Sequence, residues 1–240
     1  MRTGGPAPTA YDVAEHYDDA YYADLARRYT RRSRFARRRI ANVLSLLPPL
    51  EGRRVVDIGC GMGTFTIECA RRGARALGVD PAPAALPAAR RVAEGEGVRR
   101  AWFARADGAR LPLADRSMDL ALAADVTEHL DDHTLAAVLG EAGRVLRPGG
   151  ALVVYTPSPT HIFERLRQSR LMKPDPSHIG LRPAEELAAA LRRAGFEVER
   201  VTFLPSHIPL LSALERVLAR WIPLLRRRIG IVALRPSSAP

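Results

Sequence analysis

The 240-residue sequence contains little lysine and little cysteine. Among its 37 basic residues only Lys173 is a lysine, and its cysteines are Cys60 and Cys69. Two cysteines cannot build a disulfide framework, so we expect free thiols in a reducing compartment and a cytoplasmic protein. No stretch approaches the roughly 18 consecutive apolar residues of a membrane span. The N-terminal residues show no apolar segment typical of a signal peptide.

The positive charge is large and is carried by arginine. The net charge is +11, and arginines concentrate in residues 27–39 and 226–228. Such patches can bind phosphate groups or an anionic membrane surface. The alternative, which we favour, is a solvated helix surface in a protein whose genome prefers arginine codons. We therefore expect no nucleic-acid partner.

The apolar periodicity predicts an α/β protein with a single main domain. Residues 1–10 are predicted to be a disordered tail, residues 11–50 a helical cap with one helix over 14–47, and residues 51–240 the domain. In that domain short apolar runs alternate with helical stretches, which is typical of a Rossmann-like, doubly wound parallel sheet with helices on both faces. The predicted strands are 54–58, 74–79, 101–106, 118–124, 151–155, 196–203 and 229–234, and later helices are 130–146, 183–193 and 210–222.

A glycine-rich loop follows the first strand. Gly59, Gly61 and Gly63 lie between that strand and a helix, where glycines let a ligand approach the backbone closely. A dinucleotide-binding loop requires a further glycine at the position of Thr64, and a phosphate-binding P-loop requires a lysine that the segment lacks. The loop therefore fits neither class.

The charge around this loop predicts its ligand. Asp57 lies two residues before the first glycine, and no residue from 57 to 70 is basic. A carboxylate there repels a pyrophosphate and attracts a cation, while the N-terminus of the following helix can accept a carboxylate. A cationic amine, a sulfonium and a carboxylate are combined in S-adenosylmethionine, which we predict as the cofactor. The alternative is a tight turn capped by Asp57 without a ligand.

Acidic residues also follow the next three strands. Asp80 ends the second strand, about 20 residues past the loop, where an acidic side chain can bind both ribose hydroxyls. Asp107, followed by Gly108, comes after the third strand and can accept a hydrogen bond from an adenine amine, although a surface turn is the alternative. Asp125 follows the fourth strand. Three carboxylates at successive strand ends favour a cofactor site.

The successive motifs of residues 54–196 resemble those of a known family. The motifs are VVDIGCGMG, LGVDPAP, RADGARLPLADRSMDLALAADVTEHL and LRPGGALVVYTP. They resemble class I S-adenosylmethionine-dependent methyltransferases, most closely the ubiquinone/menaquinone-biosynthesis group of small-molecule enzymes. The resemblance implies a seven-stranded sheet with one antiparallel strand at 229–234. It also implies that Asp80 binds the ribose, that Asp107 binds the adenine, and that four residues bind the methionine end: Asp57, Gly59, Gly61 and Gly63.

One element departs from the pattern of that group. Its members usually have a hydrophobic residue and a glutamate before an L-E-H element, whereas here Asp125, Val126 and Thr127 precede Glu128 and His129. We therefore expect a different shape around the methyl donor.

Histidines are the candidate catalytic bases. Methyl transfer from a sulfonium is an in-line displacement that needs orientation and exclusion of water, and it needs a base only when the acceptor must lose a proton. His178 is the first candidate and His129 the second, although either can be a hydrogen-bonded structural histidine. His129 and His133 are four residues apart, but without further ligands we expect no metal.

The sequence also limits the class of acceptor. No N/D-P-P-Y/F element follows the fourth strand, and neither cysteine adjoins a proline, so we do not expect amino-methylation of DNA or cysteine-dependent methylation of pyrimidines. We predict a methyltransferase that acts on oxygen, carbon or nitrogen of a small or lipid-like molecule. The alternative is a non-catalytic adenosylmethionine-binding or RNA-binding protein of the same fold.

The predicted helix at 210–222 carries an apolar stripe. The stripe consists of Leu210, Leu211, Leu214, Val217, Leu218 and Trp221. Ser212 and Glu215 lie off it. We expect the stripe to pack against the sheet or to cover the acceptor site. The alternative is peripheral contact with an anionic membrane, with the tryptophan towards lipid and residues 226–228 on the headgroups.

Overall fold

The computed structural model describes residues 18–173 and 175–237. The predicted tail over residues 1–10 and the beginning of the predicted N-terminal helix lie outside the described residues. Within the described part, no helix is both long enough and apolar enough to cross a membrane.

From residue 18 onwards, where the structure describes the chain, two helices form the N-terminal cap instead of one continuous helix. Helix α1 spans Asp19–Thr30 and helix α2 spans Arg34–Leu44. The chain turns between them at Arg32, which has a φ of 50°, and Ser33 then accepts a hydrogen bond of 3.1 Å from the Ala36 N–H. A serine at this position satisfies one of the unpaired N–H groups in the first turn of a helix. The prediction of one continuous helix is wrong for this reason.

Seven strands form a single sheet in the described part of the chain. The strands are β1 (Arg54–Ile58), β2 (Arg75–Asp80), β3 (Ala101–Arg105), β4 (Met118–Ala124), β5 (Leu146–Pro157), β6 (Glu197–Leu204) and β7 (Arg228–Leu234). They lie in the order β3-β2-β1-β4-β5-β7-β6. β7 is antiparallel to both of its neighbours, and all other neighbouring strands are parallel. The predicted seven-stranded sheet with one antiparallel strand is confirmed.

Helices cover both faces of this sheet. They are α3 (Thr64–Ala70), α4 (Ala85–Gly95), α5 (Asp132–Val145), α6 (Ile162–Gln168), α7 (Ala184–Arg193) and α8 (Pro209–Leu218). Because successive residues of a strand point to opposite faces, Val55 packs with α1 to α4 and Val56 packs with α5 and α7. The sheet is therefore doubly wound, as predicted.

The segment after β4 begins with a short 3-10 turn. The turn is Thr127–His129, and Asp131 then starts α5 by accepting a hydrogen bond of 2.7 Å from the Thr134 N–H. The helix predicted from residue 130 therefore begins two residues later. This turn fixes Glu128 and His129 at the carboxyl end of the parallel strands.

Helix α8 turns its polar side towards the protein. Ser212 and Glu215 are buried, and Glu215 lies 3.2 Å from His161 Nε2 and accepts a hydrogen bond from the Ser206 N–H. Four members of the apolar stripe are exposed: Leu210 (84%), Leu214 (52%), Val217 (63%) and Trp221 (60%). The expectation that the stripe packs against the sheet is therefore wrong, because the buried glutamate determines which side of α8 docks.

Candidate functional site

Three glycines turn the chain between β1 and α3. Gly59, Gly61 and Gly63 have φ values of 66°, 52° and 81°, a region that residues with a Cβ rarely adopt. A Cβ on Gly59 would lie 2.5 Å from Val126, and one on Gly63 would lie 2.7 Å from the Phe103 ring. The loop is therefore a backbone cradle that depends on glycine, at the sheet edge where α/β folds bind ligands.

Asp57 is buried beneath this loop and holds the start of α3. Its Oδ2 accepts hydrogen bonds from the backbone N–H and the hydroxyl of Thr66, at 2.9 and 2.7 Å. Burial raises the pKa of Asp57 to about 6, although the bonds from Thr66 act to lower it. A carboxylate here suits a cationic ligand group. Its contact with the methionine end of the cofactor stays a prediction.

Asp80 connects the end of β2 to the glycine loop. Its Oδ2 accepts a hydrogen bond of 2.8 Å from the Gly61 N–H, and its Oδ1 accepts one of 2.9 Å from the Ala82 N–H. Each carboxylate oxygen has a second lone pair for a further donor. This geometry fits the predicted contact with the ribose, which stays a prediction.

Asp107 and Gly108 lie in the turn after β3. Asp107 is exposed, and its Oδ1 accepts a hydrogen bond of 2.9 Å from the Ala109 N–H. A Cβ on Gly108 would lie 2.8 Å from Ile58, so this turn packs directly against the end of β1. The structure thus places this turn against Ile58, the residue directly before the glycine loop. The contact of Asp107 and Gly108 with the adenine stays a prediction.

Asp125 is bound by two arginines. The residue has a φ of 58°, and its carboxylate oxygens lie 2.5 Å from Arg39 Nε and 2.5 Å from Arg228 Nη1. Burial raises the pKa of Asp125, but the charges of Arg228 and Arg39 outweigh it and leave the pKa below its usual range. Asp125 therefore ties α2 and β7 to the end of β4. The contact of Asp125 with the cofactor stays a prediction.

Arg39 and Arg228 are site residues that the sequence alone does not reveal. Each ion pair joins residues far apart in the chain, over 86 and 103 positions, so no local spacing indicates it. The available signal was the arginine density of residues 27–39 and 226–228. The interpretation of both stretches as solvated surface is wrong for these two side chains.

Glu128 is a buried carboxyl group in the turn after β4. It is 1% exposed, and its Oε2 accepts a hydrogen bond of 2.9 Å from the Thr156 hydroxyl. Burial, followed by the charge of Asp125, raises the pKa of Glu128 to about 7. This group can therefore exchange a proton near neutral pH, which suits acid–base chemistry.

His129 and His178 lie next to each other and next to Glu128. The ring centroids are 5.2 Å apart, and His129 Nδ1 lies 2.9 Å from the Ser177 carbonyl oxygen. His178 Nδ1 is buried without a hydrogen-bond partner among the described residues, while Nε2 lies 3.6 Å from an oxygen of Asp175. Burial lowers the pKa of His178, although the charge of Asp175 acts to raise it. The structure thus brings the two candidate bases together.

These three side chains also form a set of ligand atoms. One atom from each of Glu128, His129 and His178 lies within 4.8 Å of the others. One carboxylate and two imidazoles are donors that divalent transition metals accept. The sequence suggested only His129 and His133 as a pair of metal ligands. No local sequence pattern connects His178 with the turn that contains Glu128 and His129.

Comparison with known proteins identifies the family. The family model described as "Methyltransferase domain" matches residues 28–201, more than two thirds of the chain. The chain belongs to this methyltransferase family. The predicted membership of the class I S-adenosylmethionine-dependent methyltransferases is thereby confirmed.

One curated relative and two solved structures illustrate the similarity. The ubiquinone biosynthesis O-methyltransferase of Azorhizobium caulinodans is 38% identical over 110 residues, which are 46% of this chain and 42% of that protein. An S-adenosylmethionine-dependent methyltransferase from Mesorhizobium loti has a TM-score of 0.61 and 24% identity, covering 80% of this chain and 95% of that one. The cyclase SpnF has a TM-score of 0.69 and 20% identity, covering 99% of this chain and 100% of that one. At these identities the two structures show the fold alone.

S-adenosylmethionine is the cofactor of this methyltransferase family, which confirms the predicted methyl donor. The residues of the chain fit this group, since a Cβ would fill the glycine cradle and the carboxylates of Asp57 and Asp80 lie against it. The chain spans less than half the length of the first curated relatives that it matches.

Proposed function

We propose that this methyltransferase transfers the methyl group of S-adenosylmethionine to oxygen, carbon or nitrogen of a small or lipid-like molecule. The supporting observation is that the glycine loop and Glu128 follow neighbouring parallel strands, β1 and β4, and that His178, from the segment after β5, lies beside Glu128. Both therefore lie at the same edge of the sheet. The Gly180 N–H donates a hydrogen bond of 2.8 Å to the Glu128 carbonyl, which holds the His178 segment over the end of β4.

The side chains at this edge can orient an acceptor and move its proton. When bound, S-adenosylmethionine supplies a methyl group on a positively charged sulfur, which becomes a neutral thioether on transfer. Neutral His178 would accept the proton of an acceptor hydroxyl or amine on its imidazole ring, whose Nδ1 has no hydrogen-bond partner among the described residues. Glu128 lies within 4.8 Å of the imidazole and can take the proton onward. The surrounding segments exclude water and hold the acceptor in line.

Mass spectrometry with a methyl-labelled donor tests this proposal. The full chain is incubated with labelled S-adenosylmethionine and fractionated metabolite pools, and we expect label in a low-mass or lipid-soluble product. Heat-inactivated protein is the control. The alternative of a non-catalytic adenosylmethionine-binding or RNA-binding protein predicts bound donor without labelled product from any pool.

We also propose that α8 contacts an anionic membrane surface. The exposed side chains of Leu210, Leu214, Val217 and Trp221, together called the α8 face, lie beside the exposed arginines 216 and 220. The guanidinium group of Arg220 lies 3.6 Å from the centre of the Trp221 ring. An apolar face with a tryptophan and flanking arginines is typical of interfacial helices. A lipid-like acceptor would enter from such a surface.

The arginines first assigned to lipid headgroups are engaged within the protein. The guanidinium groups of residues 226–228 bond to backbone carbonyls, to Glu164 and to Asp125. In this proposal Arg216 and Arg220 therefore contact the lipid headgroups. Neither arginine has an ion pair among the described residues.

A further inference from the structure

A cleft rich in arginine lies beside the candidate site. It is a small recess, open to solvent, with an interior volume of about 20 Å³ between α2, the end of β5 and residues 205–207. Five cationic or titratable side chains line it: Arg38, Arg39, His207, Arg227 and Arg228. Tyr155 forms part of its wall, and the carbonyl oxygen of Tyr155 accepts a hydrogen bond of 2.7 Å from the Asp125 N–H. The cleft therefore adjoins the ends of β4 and β5, where the proposed acceptor site lies.

The positive charge of this cleft exceeds its negative charge. Asp125 is shared between Arg39 and Arg228, and Glu164 lies 3.4 Å from Arg227. Glu164 is also bound more closely by Arg167, at 2.6 Å. Arg38 has no hydrogen bond or ion pair to any of the described residues and is half-buried. Among the described residues, four guanidinium groups thus line the cleft, whereas only Asp125 and Glu164 form ion pairs with them; Glu128 and Glu215 act on Arg228 and His207 without a direct ion pair.

Two side chains of the cleft, His207 and Arg227, are disfavoured as cations, whereas for Arg228 burial is outweighed by the charge of Asp125, which holds the pKa of Arg228 above its usual range. Burial lowers the pKa of His207, and the charges of Arg227 and Arg228 lower it further. Burial likewise lowers the pKa of Arg227, and the neighbouring charge of Arg228 adds to the effect. Buried cations are normally paired, because removing an unpaired charge from water is costly. A bound anion would supply the missing negative charge.

We infer that this cleft binds an oxyanion group, a carboxylate or a phosphate, carried by the methyl acceptor. The planar guanidinium group binds such oxygens through paired N–H donors, and arginine is the residue of choice for this recognition. The inference rests on the proposed function, because it assigns the anion to the acceptor of the same site. An anion held here would leave the rest of the acceptor to extend along the ends of β4 and β5 towards Glu128 and His178.

The shape of the cleft favours a small anion over a nucleic-acid backbone. The side chains of Arg39, Arg227 and Arg228 are only 22%, 15% and 13% exposed. Binding along a nucleic acid uses exposed arginines spread over a surface, and it weakens steeply with salt. A recessed cluster of arginines suits the single terminal anionic group of a small molecule.

Calorimetric titration of the full chain with three probes of one ring size tests this inference. The probes are phenyl phosphate, benzoate and neutral phenol, at an ionic strength of about 0.15 M. We expect at least one anionic probe to bind at least about tenfold more tightly than phenol. We also expect the variant Arg38→Gln to bind that probe at least about tenfold more weakly than the wild type, because it loses a charge-assisted hydrogen bond. Arg38 has no partner to lose within the described fold, and an unchanged melting temperature confirms that the variant is folded.

Matched controls separate this inference from general charge effects and from the proposed function. Arg37→Gln removes the same charge from an exposed position on α2 outside the cleft and should change nothing. Equal binding of phenol and both anions, equal loss in the two variants, or RNA binding that survives this salt and depends on Arg38 would each overturn the inference. Affinity for S-adenosylmethionine is measured in parallel. Donor binding without anion binding contradicts the inference alone, whereas anion binding without methyl transfer contradicts the proposed function alone.

Discussion

At the scale of single residues, the carboxyl groups of the candidate site hold the backbone in shape. Asp57 accepts hydrogen bonds from the first turn of α3, Asp80 accepts one from the glycine loop, and Asp125 is bound by Arg39 and Arg228. We therefore expect cofactor binding to depend on the conformation of the loop. A change at any of these carboxylates should alter donor affinity through the backbone as well as through direct contact.

The pH dependence of methyl transfer identifies the base. If His178 accepts the proton, the rate rises with pH and its midpoint lies below 6.5, because burial lowers the pKa of His178 and only neutral imidazole can accept a proton. His178→Ala should lower the plateau rate by about 10²–10⁴-fold, while donor affinity stays unchanged. The rate is measured with saturating donor and the acceptor found by mass spectrometry, from about pH 5 to about pH 9.

A second group could produce a different profile. The pKa of Glu128 is about 7, so a midpoint near 7 that persists in His178→Ala would assign the base to Glu128 and contradict the role of His178. His133→Ala, which removes an exposed histidine on α5, is the matched control and should leave the profile unchanged.

The residues that the sequence could place are those next to strand ends. Asp57 and Asp80 lie at the carboxyl ends of β1 and β2, and Asp107 comes shortly after β3. The alternation of strands and helices in the sequence was therefore enough to bring them to one edge of the sheet. His178 was the first candidate base from the sequence, but its contact with Glu128 could not be predicted, and Arg39 could not be placed because its partner Asp125 lies 86 positions away. Glu128 is part of one of the sequence motifs that resemble the methyltransferase family. Only its burial in the structure reveals that its pKa is raised.

At the scale of elements, the buried polar groups decide how helices dock. Glu215 and His161 form a buried pair, and this pair overrides the orientation that the apolar stripe of α8 favours. Periodicity reports which residues share a face of a helix. It does not report which face meets the protein, because that depends on His161, the residue that caps the start of α6. The break between α1 and α2 likewise depends on a local serine cap within a helical pattern.

Flotation with lipid vesicles tests the role of α8. We expect the full chain to float with vesicles of phosphatidylglycerol and phosphatidylcholine and to remain unbound with pure phosphatidylcholine. Each arginine near an anionic surface adds about 1 kcal/mol, so changing Arg216 and Arg220 to glutamine should weaken binding roughly 30-fold. Replacing Leu214 and Val217 by serine should also release the protein, because it removes apolar contact with the lipid.

A charge-matched variant is the control for this measurement. Changing Arg192 and Arg193 to glutamine removes two exposed arginines from α7 and should leave flotation unchanged. Equal flotation with neutral vesicles, or equal loss in the control variant, contradicts a specific contact through the α8 face.

At the scale of the whole molecule, the sheet was predictable and the attachment of the cap was not. The central strands are buried on both faces, so they form continuous apolar runs that a sequence displays directly. The cap is attached by polar contacts, such as the 2.8 Å hydrogen bond from the Tyr29 hydroxyl to Glu68 and the pairing of Arg39 with Asp125. These contacts place α1 and α2 against the face of the sheet that carries the glycine loop.

The central claim is that the glycine loop holds S-adenosylmethionine. Gly61 has a φ of 52° and lies in the loop, where an added Cβ would approach the Tyr22 ring to 3.4 Å. Gly97 has a φ of 66°, and an added Cβ there would meet no atom within 4 Å. Valine strains the backbone at both positions, but it obstructs the proposed cofactor site only at Gly61.

Isothermal titration of S-adenosylmethionine into the wild type, Gly61→Val and Gly97→Val therefore tests the claim most directly. Melting temperatures of the two variants establish that both are folded. The predicted result is that wild type and Gly97→Val bind the donor with equal affinity while Gly61→Val shows no measurable binding. Undiminished binding by folded Gly61→Val, or no binding by the wild type, would contradict the account.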